Sequence, residues 1–222
     1  MIRCMMGKIA VRFLILLVGT LLYAIGIVLN IQAHIGYAPW EIFHVGLALT
    51  TGMSIGVASI VAGLFIVVIV TACGEKIGFG TICSMILTGV FIDWIFFLNI
   101  IPQAENLIVG IIMLIAGLFI VSLGAYYYIK SAFGAGPRDN LMVVLKRKTK
   151  LPVGLCRSIV ELSVTLAGWL LGGMVGIGTI ISIFAIGLCF QITFTLFKFD
   201  PASVAHETLK QNITAIRKRK NR

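Results

Sequence analysis

The chain has 222 residues, of which 59% are hydrophobic and 12% charged, with 18 basic and 8 acidic residues and a net charge of +10. A chain this apolar has too little polar surface to stay dissolved as a globule, which excludes a soluble domain. Its five cysteines are odd in number and share no C-x-x-C spacing, so no disulfide framework and no metal site is expected.

Six apolar runs are long enough to cross a bilayer, which takes about 20 residues as a helix. They are Ile9–Ile31, Ser54–Cys73, Gly80–Ile100, Leu107–Ile129, Val153–Leu171 and Gly176–Phe197. The first exceeds the roughly 7–15 apolar residues of a signal peptide and no Ala-x-Ala-like site follows it, so it is read as a span. After it comes Gly36-Tyr37-Ala38-Pro39-Trp40-Glu41, then a short apolar stretch, Ile42–Thr50. His34 and His44 flank this motif without any further metal-ligand pattern. The third span carries Asp93 beside Trp94 near its outer end. After the fourth span comes Gly134-Ala135-Gly136-Pro137-Arg138-Asp139, then a second short stretch, Asn140–Lys148. The fifth span holds Arg157 and Glu161, four apart and therefore on one helix face, where pairing lowers the cost of charge in a membrane. After Asp200-Pro201, residues Val204, Leu209, Ile213 and Ile216 followed by Arg217-Lys218-Arg219-Lys220 suggest a helix resting on anionic lipid. The chain thus divides into a transmembrane domain, 1–200, and a basic cytoplasmic tail, 201–222.

The same chain superposes on itself when shifted by 98 residues (134 − 36, for Gly36 and Gly134). Between residues 10 and 96 there are 11 glycines, and 8 of them meet a glycine under the shift. At this glycine content chance would supply roughly one. Pro39 falls on Pro137, Thr81 on Thr179, Ser84 on Ser182 and Asp93 on Gln191. Two repeats follow, about 9–100 and 107–197, and paired repeats are a common plan of transporters.

All 18 basic residues fall before the first span, in the second and fourth gaps, in the tail, or just inside a neighbouring span end. The gaps Gln32–Met53, Ile101–Asn106 and Gly172–Val175 hold no Lys or Arg. The positive-inside rule then places both termini in the cytoplasm, which explains the charge without nucleic acid. Three spans per repeat is an odd number, so the second repeat enters from the opposite face. The expected fold is all-α: six transmembrane helices as two inverted-topology three-helix repeats, each with a short interfacial or re-entrant helix after its first span.

In each motif, proline suits the first position of a helix, and the acid two residues later faces the positive end of the helix dipole. One reading is that glycine turns the chain and the acid caps its own helix. The other is that two half-helix N-termini meet about the pseudo-two-fold axis and line a solute site, with Arg138 as a bidentate cation. The candidate set is Glu41, Arg138, Asp139, Arg157 and Glu161, with Gly36, Pro39, Gly134, Gly136 and Pro137 shaping the backbone and Asp93 as a coupling group. Small residues at four-residue spacing (Ser59/Gly63, Gly168/Gly172) allow close helix packing within the chain, a homodimer seam being the second reading. No Walker loop, H-E-x-x-H, G-x-S-x-G or nucleophile–base set is present, so neither an enzyme nor a cofactor is expected.

At Gly36-x-x-Pro39-Trp40-Glu41 with His44-x-Gly46-Leu47, at Gly136-Pro137-Arg138-Asp139, and at Gly168-Trp169-Leu170-Leu171-Gly172-Gly173, the chain resembles the YczE/YyaS/YitT family of bacterial membrane proteins. Glu41 stands where that family usually has Asp, and Gly187-Leu188 where it often has Gly-Pro. The resemblance implies an integral protein of the bacterial inner membrane and supplies no substrate. The expectation from the residues is a secondary transporter of a small solute, an anion among the candidates, in either direction. The alternative is a non-transporting scaffold or regulatory partner of another complex.

Overall fold

A computed structural model describes residues 2–74, 78–133, 136–151 and 153–199. These residues form eight helices: α1 (Ile2–Gln32), α2 (Pro39–Thr51), α3 (Ile55–Ala72), α4 (Phe79–Leu98), α5 (Leu107–Lys130), α6 (Pro137–Thr149), α7 (Val153–Leu170) and α8 (Ile177–Leu196). The order is long, short, long, long, twice over. Five helices are long and apolar enough to cross a membrane: Ala10–Gln32 within α1, Ile55–Ala72, Gly80–Leu98, Leu107–Lys130 and Ile177–Leu196. In α7 the apolar run Ser158–Leu170 is shorter. Large apolar side chains face outward, Phe97, Phe184 and Leu196 among them, as lipid contact requires. The amphipathic tail expected beyond Asp200, and Gly134, lie outside the described residues.

The short helices α2 and α6 start at their prolines, three residues earlier than the apolar stretches alone indicate. Pro39 and Pro137 occupy the first turn, where a missing N–H costs nothing. Each helix ends in a left-handed residue whose N–H closes on a carbonyl four residues back: Gly52 on Ala48, and Lys150 on Lys146. Both pairs are related by the 98-residue shift. Other left-handed residues recur the same way, His34 with Ala132 and Gly74 with Gly172. Side-chain caps are supplied by Ser54, which accepts from Val57 N–H, and by Asn106, which accepts from Val109 N–H.

Packing follows the same exchange. α1 lies along α5, with Gly19 against Gly124 and Gly26 against Gly117. As the number rises on one helix it falls on the other, so the two run antiparallel. α2 packs on α7 and α6 on α3, while α1 packs on α4 and α5 on α8. Main-chain bonds tie the halves together, among them Gly80 N–H to Phe133 O at 2.9 Å and Gly178 N–H to Ile35 O at 2.8 Å. The shift carries one onto the other. Among the described residues the exchange breaks most plainly at α3, which packs closely on α4 where α7 makes no comparable contact with α8.

Candidate functional site

A cavity of about 600 Å3 opens between the two halves, within the range of small-molecule sites. Eight pairs of its lining residues are related by the 98-residue shift, among them Ala38/Gly136, Pro39/Pro137, Trp40/Arg138, Gly63/Glu161 and Ser84/Ser182. The cavity is thus lined by corresponding positions of both halves. At Trp40 and Arg138 the partners touch: the guanidinium lies 4.6 Å over the indole ring. The first turns of α2 and α6, neither capped by a side chain, meet there. Their N–H groups and dipoles make a field that favours negative charge.

The break before α2 is held from the other half. Gly36 has φ of 111°, and a Cβ there would meet the Gly176 backbone at 2.6–2.8 Å. Tyr37 N–H donates to Met174 O at 3.2 Å, and the Thr179 hydroxyl donates to Tyr37 O at 2.8 Å. The start of α8 thus aims the N-terminus of α2. Glycine is needed at 36 for both the backbone angle and the approach.

Of the candidates from sequence, Glu41, Arg138 and Glu161 line the cavity, with Pro39, Gly136 and Pro137. Glu41 is buried, at 5% exposure. α2 is too short to cross a membrane. Burial pushes the Glu41 carboxyl above its ordinary value; Arg138 and its own backbone N–H oppose that, and Glu161 adds to it. Arg138 and Glu161 are thus near enough to act on the carboxyl. Burial, then Arg138, holds His44 well below the ordinary imidazole value. The side chains of Asp139 and Arg157 lie outside the described ones; their repeat partners Glu41 and Ser59 line the cavity.

Asp93 is elsewhere. It does not line the cavity; it accepts from the Ser54 hydroxyl at 2.5 Å and from Gly56 N–H at 2.8 Å. It holds the start of α3, a position its place in the fourth helix did not reveal. Conversely, Asn30, Tyr23 and Tyr128 line the cavity, and so does His44, without having been singled out as site residues. Asn30 carried a signal, an amide in the last turn of an apolar span, where a polar group needs a partner or a role. It is 1% exposed and His44 2%. Among the described residues, Asn30 Oδ1 and His44 Nδ1 have no hydrogen-bond partner.

A model of a family of unknown function, DUF6198, matches residues 10–195. The uncharacterized membrane protein YczE of Bacillus subtilis is 33% identical over 193 residues, covering 85% of this chain and 88% of that one. An uncharacterized protein of Haemophilus influenzae is 30% identical over 177 residues, 80% of each. The uncharacterized protein YyaS of Bacillus subtilis is 25% identical over 178 residues, 79% of this chain and 88% of that one. No solved structure matches. A membrane protein of helices with apolar outer faces, the chain belongs to the DUF6198 family together with these relatives.

Proposed function

We propose that this protein is a secondary carrier of a small solute in the bacterial inner membrane, with the cavity between its halves as the solute site. The observation that carries the reading is the meeting of the two helix breaks at Trp40 and Arg138, corresponding positions of the two repeats. Solute sites of inverted-repeat carriers lie at that position, with half-helix N-termini aimed at the solute. Six spans, α7 counted with the five longer helices, in two oppositely oriented halves with both termini cytoplasmic account for the antiparallel α1 and α5 and for the one-sided basic residues. The loose contact of α7 with α8, against the close contact of α3 with α4, fits one of two alternating states, open through one half. The scaffold reading calls for a closed apolar interior and a large outer patch of small residues. Buried Glu41 and the charged groups Arg138 and Glu161 around an open cavity favour the carrier.

The test is exchange of labelled organic acids and amino acids into liposomes holding the purified protein. Flux above empty vesicles is expected. Arg138→Ala abolishes it while expression and folding persist, because the group facing the anionic end is gone. Flux at the wild-type rate in Arg138→Ala refutes the role of the guanidinium, and no flux with any solute refutes the carrier.

A further inference from the structure

Glu41 and Arg138 line one cavity from opposite halves without closing on each other. The guanidinium lies over the Trp40 ring, and among the described residues it makes no ion pair. Glu41 reaches the cavity from the first turn of α2, 5% exposed, and among the described residues it makes none either. Each charge is still near enough to act on the other. The remaining titratable groups of the lining are His44 on α2, Glu161 on α7, Tyr23 on α1 and Tyr128 on α5; the lining residues of α3, α4 and α8 include none. Burial, then Arg138, keeps His44 from taking a proton. Glu161 is half-buried and already engaged. Among the described lining residues two acids thus face one cation.

An entering anion is attracted only by Arg138 and the two uncapped helix N-termini. It therefore shares Arg138 with Glu41. Burial pushes the Glu41 carboxyl up, Arg138 is the chief influence against that, and Glu161 adds to it. An anion that answers the charge of Arg138 cancels the opposing influence. It also sets a second negative group beside a buried carboxylate, and two like charges so placed do not both stay ionised.

We infer that the cavity binds a small organic monoanion together with one proton, and that the proton sits on the Glu41 carboxyl. The carboxylate or sulfonate of the solute takes the Arg138 guanidinium. Glu41, once protonated, donates a hydrogen bond to the anion instead of repelling it. Anion and proton cross as a neutral pair, driven by a pH difference and indifferent to membrane potential. This rests on the cavity being the solute site. It gives Glu41 the coupling role that Asp93, held at the start of α3, does not fill. Linkage is reciprocal, so the proton tightens the anion by the factor by which the anion tightens the proton. Above the pH at which Glu41 loses its proton, each pH unit weakens the anion by up to about tenfold.

The test uses purified full-length protein in lipid nanodiscs. The probes are acetate, L-lactate, benzoate, 3-phenylpropionate and benzenesulfonate, the last a strong acid whose own charge is independent of pH. Calorimetry in two buffers of different ionisation heat counts the protons taken up with each anion. At least one probe should bind, more weakly as pH rises between about 5 and 8, with net proton uptake. Glu41→Gln, a neutral stand-in for the protonated acid, should bind that probe with no pH slope and no proton uptake. Asp93→Asn should keep both. The inference is overturned if no probe binds, if the wild type binds without taking up protons, or if the slope survives in Glu41→Gln. Flux in liposomes that follows membrane potential and ignores the pH difference removes the proton site and leaves the carrier. Proton-linked binding without flux upholds the site and removes the carrier.

Discussion

Glycine is replaced by alanine at two positions in the apolar helices, Gly26 in α1 and Gly187 in α8, and opposite outcomes are expected. At Gly26 a Cβ would stand 2.6 Å from Gly117 O and 2.7 Å from Val121 Cγ2 and N. Ordinary contact begins at 3.4 Å, so α1 and α5 must part by about 0.8 Å. Two backbones face each other there, and neither can swing aside as a side chain would. Overpacking of this kind costs about 1–3 kcal/mol. For a chain of this size, about 2 kcal/mol lowers the melting temperature by roughly 4–8 °C. At Gly187 nothing lies within 4 Å of the added Cβ. There alanine only removes the conformational freedom of glycine in a helix, which stabilises by about 0.5–1 kcal/mol. The assay is thermal unfolding of both variants in the same detergent, followed by size-exclusion chromatography of the fluorescent fusion. Gly124→Ala should behave as Gly26→Ala does, since its Cβ would meet Tyr23 N at 2.5 Å across the same crossing. If Gly26→Ala melts with the wild type, or if Gly26→Ala and Gly187→Ala fall together, the close α1–α5 approach is wrong.

Three further outcomes are expected. Asp93→Ala leaves Ser54 and Gly56 N–H without their acceptor and should cost about 1–3 kcal/mol of stability, while folded protein retains wild-type exchange; lost exchange in stable protein would return Asp93 to the mechanism. Reporter fusions at Gln103 and Lys146 should fall in opposite compartments; the same compartment for both ends the inverted arrangement. Burial raises Glu41 above its ordinary value of 4.5, so the folded protein binds this proton more tightly than the unfolded chain does. The stability that Glu41 contributes is complete below 4.5 and is lost as pH rises through the folded value. His44 acts in the other direction, losing stability as pH falls below 6.5, so only the difference between wild type and Glu41→Gln isolates the carboxyl. That difference should shift in favour of Glu41→Gln as pH rises. Parallel melting curves at every pH would remove the burial argument.

Much of the architecture is written in local patterns. Hydropathy over about 20 residues marks the long helices because lipid leaves no other partner for backbone N–H and C=O groups. The glycine and proline breaks mark α2 and α6 because those residues act on their own backbone angles. The 98-residue repeat is visible in one sequence, and left-handed pairs such as Gly74 and Gly172 carry it into the structure. Tertiary structure alone decided which of these features meet. Nothing local distinguishes Gly26, pressed on Gly117, from Gly187, where an added Cβ would meet nothing. Asp93 and Glu41 are both acids within or beside apolar runs, yet one holds the start of α3 and the other lines the cavity. Trp40 and Arg138 are 98 residues apart, and only the packing of the two halves against each other puts a guanidinium over an indole. Side-chain neighbours across a membrane bundle depend on helix rotation and separation, which packing of the whole chain sets and no short window of sequence contains.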